Sequence, residues 1–136
     1  MIAQVARRHR KRASELLGEL DLHLGQEMVL EALWTRGALS QSDLAEHSGV
    51  RRATITVALK PLERAGLIER TCDPDDRRVM RVVATEKSRQ LRPNLYEVWE
   101  QLNRESMEGV SADDLRVFER VMRQVRRNLE EKIRQQ

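Results

Sequence analysis

The stretch Leu39–Thr85, LSQSDLAEHSGVRRATITVALKPLERAGLIERTCDPDDRRVMRVVAT, constrains this chain more than any other. Ser40 with Asp43 three residues on has the spacing of a capping box, which predicts a helix opening there. Leu44 and Ala45 are its inward positions, and the small Ala45 lets a second helix approach closely. HSGV closes it, because Gly49 tolerates the positive φ that a tight turn requires. A second helix follows from about Arg51, with Ile55, Ala58, Leu59 and Leu62 on one face at three- and four-residue spacing. Its opposite face carries Ala53, Thr56, Val57 and Lys60, with Arg52 at the edge and Arg51 at the start. After Gly66, LIERTC and VMRVVAT are rich in β-branched residues and read as a hairpin whose turn is DPDDRR.

Short or cationic side chains on the outer face of the second helix suit a helix laid in a DNA major groove. Helix, turn, helix and arginine-tipped hairpin together make a winged helix. Helix pairs of this kind also occur in ordinary helical cores, so the pattern points to DNA only where basic residues sit as the geometry requires. The charge distribution meets that condition. Residues 47–84 carry a net +3 and residues 19–46 a net −5, while residues 1–18 carry +4 and residues 85–136 carry +1. Nearly all the cations are Arg, whose planar fork matches phosphates and enters a narrow minor groove.

The segment GALSQSDLAEHSGVRRATITVALKPLERAGLIERTCDPDDRRVMRVVATEKSRQL resembles the DNA-binding core of the MarR family of bacterial transcription regulators. LSQSDLAEHSGV, LERAGLIERTCDPDDRR and TEKSR carry the likeness, and Asp76 followed by Arg77 and Arg78 is its most specific part. The order of flanking elements fits as well. The resemblance implies a mainly α fold with a small β wing, working as an obligate homodimer on a palindromic operator and usually repressing. It also implies release of DNA by a small, frequently phenolic, effector bound between the dimer helices and the winged core. Candidate DNA-binding residues are then Ser40, Gln41 and Ser42 where the helix-turn-helix begins, and Arg51, Arg52, Ala53, Thr54, Thr56, Val57 and Lys60 on the recognition helix. Arg77 and Arg78 complete the set on the wing, oriented by Asp76. Val57 departs from the family, which frequently has a basic side chain there; a thymine methyl is an apolar partner for it. Pro61 conflicts with the helix that contains it, and a helix bent rather than ended is expected because Leu62 continues the apolar face.

The flanks read as dimerisation helices, residues 1–22 before the winged core (23–86) and residues 87–136 after it. Ile2, Val5, Ala6, Ala13, Leu16, Leu17 and Leu20 recur at helical spacing, and the cluster RRHRKR covers the rest of that surface, either phosphate-binding or a solvated or partner-paired face. LGQEMVLEALWTRG is a core helix with Leu24, Met28, Leu30, Ala32 and Leu33 as its apolar positions, and the following ALS is a candidate edge strand. From Thr85 a long helix is expected, bent at Pro93. Ser111 and Asp114 predict a capping box for the last helix, in which Leu115, Phe118, Met122, Val125, Leu129 and Ile133 recur every three or four residues. That stripe exceeds what a small winged core can cover, so it is assigned with Ile2 and Val5 to a dimer interface.

Other classes have little support. The three histidines, His9, His23 and His47, are scattered, and neither metal-ligand spacing nor a phosphate loop occurs, so no catalytic residue, metal or cofactor is expected. Met28, Trp34, Tyr96 and Trp99 are possible lining for an effector cavity but equally ordinary core residues. Cys72 is the single cysteine, read as a strand thiol rather than a redox sensor. With one cysteine and no apolar run of membrane-spanning length, a cytoplasmic protein is the default expectation. The alternative function is a helical protein-interaction module with a degenerate winged helix and no specific DNA binding.

Overall fold

Helix α1 (Ile2–Gly18) buries only its C-terminal half, through Ala13, Leu16 and Leu17, while every residue from Met1 to Lys11 is exposed. A short connection leads to α2 (Gln26–Arg36), whose Val29, Leu30, Ala32 and Leu33 are buried. Two of the apolar positions expected of this helix lie outside the core. Leu24 precedes the helix and Met28 sits at its first turn, both more than a third exposed, and Val29 takes the inward place instead. The computed structural model describes residues 1–135 and divides at Leu102 into two compact units, Met1–Leu102 and the remainder from Asn103.

The first unit continues with β1 (Leu39–Ser40), α3 (Gln41–Ser48), α4 (Arg52–Arg64) and the hairpin β2 (Ile68–Cys72) and β3 (Met80–Ala84). β3 is central, with β1 and β2 antiparallel on either side; Leu39 pairs with Val82 and Cys72 with Met80. The alternation along β3 is what a half-buried strand requires: Val82 and Ala84 are buried, and Arg81 and Val83 between and beside them are not. Leu44 from α3, Ile55, Leu59 and Leu62 from α4, and Ile68 from β2 join Leu30, Leu33 and Val82 in one apolar cluster.

Pro61 does not end α4, which runs through it to Arg64. A proline in a helix interior costs about 3 kcal/mol, whereas burying a leucine side chain stabilises by roughly 1.5–3 kcal/mol. Leu59 and Leu62 flank Pro61 and are both buried, so their burial offsets that cost. The Val57 carbonyl, which loses its helical partner, belongs to a residue 72% exposed, so water can take the bond.

Pro93 does the opposite. Instead of one long bent helix from Thr85 there are two, α5 (Glu86–Gln90) and α6 (Arg92–Ser106), separated at Leu91. Pro93 lies in the first turn of α6, where its missing N–H has no helical acceptor to leave unpaired. Its ring disfavours helical geometry at Arg92, and the chain breaks just before it. Leu95, Val98 and Leu102 of α6 are buried. The Trp34 indole Nε1–H donates to Ser88 Oγ at 3.1 Å, fixing α2 to α5.

The second unit is dominated by α7 (Ala112–Arg134), twenty-three residues of which none is buried within the chain. Ser111 caps it by accepting the Asp114 N–H at 3.1 Å, but the Asp114 carboxylate accepts the Ser111 hydroxyl rather than its backbone N–H. Half of the expected capping box forms.

Candidate nucleic-acid interface

Three pieces of the first unit present the sequence-predicted residues, beginning with the N-terminus of α3. There Ser40 Oγ accepts the Asp43 N–H at 3.0 Å and Asp43 Oδ2 accepts the Ser40 N–H at 3.2 Å, a complete capping box. The Ser40 hydroxyl and then the Ser40 N–H hold the Asp43 carboxyl below the usual carboxylate range. Ser42 stands exposed beside it and Gln41 half-exposed. Gly49 ends α3 at φ +65°, and the turn delivers the chain into α4 with the Val50 N–H bound to the Ala45 carbonyl at 3.1 Å.

Helix α4 starts differently from its neighbours. Its N-cap is Arg51, which makes no side-chain capping bond, and its first turn holds no acidic residue. Two arginines, Arg51 and Arg52, therefore stand at the positive end of a helix whose first N–H groups lack side-chain acceptors. That arrangement is unfavourable for the free protein and favourable once an anion docks there. Ala53, Thr54, Val57 and Lys60 are exposed along the helix and Thr56 is half-exposed. Thr56 Oγ1 donates to the Arg52 carbonyl at 3.1 Å, which leaves the oxygen free only to accept. Between this helix and the segment before α2 lies a groove of about 550 Å³, whose walls include Leu24, Met28, Ala53, Val57 and Pro61.

The wing is held from its base, by a residue that sequence reasoning assigned only to shaping the turn. Asp73 is buried, and its Oδ1 accepts the N–H groups of Asp75 at 2.8 Å and Asp76 at 3.3 Å. Its Oδ2 accepts the Nε–H of Arg81 on β3, and Arg81 also donates to the Ala38 carbonyl at 3.3 Å. The backbone bond from Asp75 and then the Arg81 guanidinium hold the Asp73 carboxyl below its ordinary range. Asp76 acts on the backbone: its Oδ1 accepts the Arg78 N–H at 3.0 Å. Among the described residues, the Arg77 and Arg78 side chains have no hydrogen bond or ion pair, and both are exposed. The Asp73–Arg81 partnership leaves a sequence signal, an acidic residue where the predicted turn begins and a basic one inside the strand that follows it. Like-facing cross-strand pairing would have found it.

The dimer-interface candidates are exposed in the isolated chain. Ile2 and Val5 on α1 are well exposed, as are Phe118, Met122, Leu129 and Ile133 on α7, with Leu115 and Val125 half-exposed. Among the described residues no cluster of His, Cys, Asp and Glu is arranged to hold a metal ion. No helix among the described residues is long and apolar enough to cross a membrane. Cys72 is exposed on β2, its thiol 3.8 Å from the Met80 thioether.

The MarR family model matches residues 22–80, which span α2, both helices of the helix-turn-helix and the hairpin as far as Met80. Over that stretch the chain is similar to the MarR family of transcriptional regulators. The repressor IacR of Pseudomonas putida is 29% identical over 129 residues, covering 95% of this chain and 77% of that protein. The regulator SlyA superimposes with a TM-score of 0.80 at 27% identity, over 96% of this chain and 92% of the other. A mutant MarR from E. coli in complex with operator DNA shares the fold at a TM-score of 0.79 and 22% identity, over 91% and 89% of the two chains. These relatives are regulators of transcription, not enzymes, and this chain has the same mainly helical fold with a three-stranded sheet.

Proposed function

We propose that this chain is a MarR-family homodimeric repressor that binds an inverted-repeat operator and lets go of it when a small molecule binds. The observation that supports this best is the start of α4, where Arg51 and Arg52 gather at an uncapped helix N-terminus beside an exposed face of short side chains. A phosphate supplies the missing acceptor and the missing negative charge together. Lys60 and Thr54 extend the contact along the groove, with Ser40, Gln41 and Ser42 reaching the flanking backbone. Arg77 and Arg78, unencumbered at the wing tip, enter the minor groove or hold its phosphates.

The apolar stripe of α7 together with Ile2 and Val5 supplies the dimer contact. Two recognition helices then stand about 34–36 Å apart, one turn of duplex, which fixes the symmetry of the operator. Bound over a promoter, the dimer obstructs polymerase. An effector acts by favouring a half-site spacing that DNA does not match. Work on the chromosome of a bacterium places such a protein in the cytoplasm, and no catalytic role is proposed.

The experiment is selection of bound fragments from random double-stranded DNA by the purified chain. Enrichment of an inverted repeat with half-sites one helical turn apart is the expected result. Enrichment of no motif overturns the proposal and leaves a winged helix used for protein interaction.

A further inference from the structure

TEKSR, residues 85–89, carries part of the family likeness but contains none of the residues assigned to DNA. It meets the recognition helix from the other end. Helix α4 closes at Gly66, φ +72°, where the Gly66 N–H donates to the Glu63 carbonyl at 3.0 Å and the Leu67 N–H to the Leu62 carbonyl at 2.9 Å. The next three carbonyls in the chain are taken by Lys87 and Thr85. Lys87 Nζ donates to the Ala65 carbonyl at 2.7 Å, and Thr85 Oγ1 to the Gly66 carbonyl at 2.7 Å. The Thr85 backbone N–H donates to the Leu67 carbonyl at 3.1 Å. This clasp has its own footing in the core. The Thr85 hydroxyl accepts the Ser88 N–H at 3.2 Å, and the buried Ser88 hydroxyl donates to the Thr85 carbonyl at 2.7 Å while accepting the Trp34 indole N–H.

The two ends of α4 are therefore held very differently. At the DNA-facing start, Arg51 makes no side-chain capping bond. Along the helix, Ile55, Leu59 and Leu62 are buried, which resists lifting it off the core. Burial of apolar surface is non-directional, however, and does not by itself fix a slide along the axis or a turn about it. Contact with base edges needs placement to within about 0.5 Å and roughly 10–20°. Directional bonds supply that, and they gather at the far end. One of them, from Arg70 Nε to Glu63 Oε2 at 3.2 Å, joins partly exposed groups, an ion pair of a kind that contributes little. Lys87 brings more, because its ammonium stands at the negative end of the helix and binds a carbonyl that the helix itself leaves unpaired.

We propose that Lys87 is a positioning residue for DNA recognition: bonded to Ala65, with Thr85 on Gly66, it sets the axial placement and rotation of α4. It thereby decides which bases Thr56 and Val57 meet, without touching DNA itself. The proposal rests on the regulator reading above. It assigns Lys87 an effect on the choice of sequence and none on the number of phosphates held, which separates it from Arg51, Arg52 and the wing arginines.

The test uses Lys87→Met, which keeps an apolar stem and removes the donor, and Lys87→Arg, which restores a cationic donor. Fluorescence anisotropy over a range of salt concentrations reads binding of the full chain to the duplex enriched by the parent and to a scrambled duplex. Circular dichroism checks that all three proteins are folded at the assay temperature. Lys87→Met should weaken binding to the enriched duplex about tenfold, the scale of one charged hydrogen bond. Its affinity for the scrambled duplex and its salt slope should match the parent's, and Lys87→Arg should recover most of the loss. A salt slope shallower by about 1 would make Lys87 a phosphate contact and overturn the proposal. So would an equal loss on both duplexes, an undiminished hold on the enriched one, no recovery by Lys87→Arg, or a loss that disappears on cooling. A parent chain that enriches no motif sinks the regulator reading; one that enriches a motif which Lys87→Met binds equally well sinks this inference alone.

Discussion

The Asp73 carboxylate accepts the Nε–H of Arg81 across the wing hairpin, while its other oxygen takes the N–H groups of Asp75 and Asp76. One buried carboxylate thus joins the turn, the central strand and, through the Arg81 bond to the Ala38 carbonyl, the start of β1. The wing arginines are four and five residues from Asp73, and among the described residues their side chains have no hydrogen bond or ion pair, only the Arg78 N–H being held, by Asp76. Their placement depends on this hub.

Asp73→Ala should therefore weaken operator binding although Asp73 is turned away from the wing tip. Each of the three donors loses a charged acceptor, a contact typically worth more than a neutral hydrogen bond. We expect a loss of about tenfold in DNA affinity, read by fluorescence anisotropy, and reduced protection of the wing amides in hydrogen exchange. The pH dependence has a definite sign. The folded pKa of Asp73 is depressed, so its stabilisation is complete above the ordinary carboxylate range and is lost as pH falls through the folded value. Between pH 5 and 8 the Asp73 contribution should be flat.

Arg77→Ala and Arg78→Ala test the wing tip directly. If the wing supplies phosphate contacts as proposed, each removes one such cation, and the slope of log K against log[salt] should become shallower by about 1 for each one. A change confined to affinity in the same proportion at every salt concentration would assign the lost contact to a base edge instead.

Reading of sequence by α4 should centre on Thr56 and Val57. The Thr56 hydroxyl spends its proton on the Arg52 carbonyl, so its oxygen can take only a donor, the N4 amino of cytosine or the N6 amino of adenine. Val57 is 72% exposed and offers only methyl groups, for which a thymine methyl is the matching surface. Repeating the selection with Val57→Arg should move the preferred base at one position of each half-site. An unchanged motif would show that Val57 is not read against a base.

Most of the winged core was legible because its signals are local and agree with one another. The Ser40–Asp43 spacing, the positive φ at Gly49 and the three-four rhythm of Ile55, Leu59 and Leu62 all recur in the fold as expected. The two prolines were not equally legible. Local rules treat Pro61 and Pro93 alike, yet α4 passes through one and the chain breaks at the other. The difference is tertiary: Leu59 and Leu62 are buried on either side of Pro61, whereas Pro93 falls where a helix can simply begin again. Leu24 and Met28 misled for a related reason, since hydrophobicity alone does not tell a core position from the wall of a groove. The Asp73–Arg81 bond escaped because it runs from the turn to the central strand, a pairing that shows only when hairpin register is laid out and not in the periodicity of either strand.

Glu27 offers a check on stability that is independent of DNA. Burial pushes its carboxyl above the ordinary range, against hydrogen bonds that pull it down. A raised folded pKa means the unfolded chain holds fewer protons in the window above pH 4.5, so stability falls as pH rises from there through the folded value. Glu27→Gln removes the charge and keeps an acceptor for the Gly25 N–H. Its melting temperature should exceed the parent's at pH 7 and match it near pH 4, and a gain independent of pH would mean that packing, not charge, limits this position.

The apolar stripe of α7 has no cover among the described residues. Phe118, Met122, Leu129 and Ile133 are each at least 40% exposed, on a helix with no buried residue. Covering a large aliphatic or aromatic side chain is worth roughly 1.5–3 kcal/mol, so leaving four in water is a strong drive to self-association. An aspartate at the middle of such a contact would be a buried charge without a partner, costing several kcal/mol. Leu129→Asp should therefore yield monomers in sedimentation velocity at micromolar concentration and lose operator binding with them, because one recognition helix spans only half a site. Dimers that survive the substitution would move the interface elsewhere, and DNA binding by a proven monomer would remove the need for two-fold symmetry altogether.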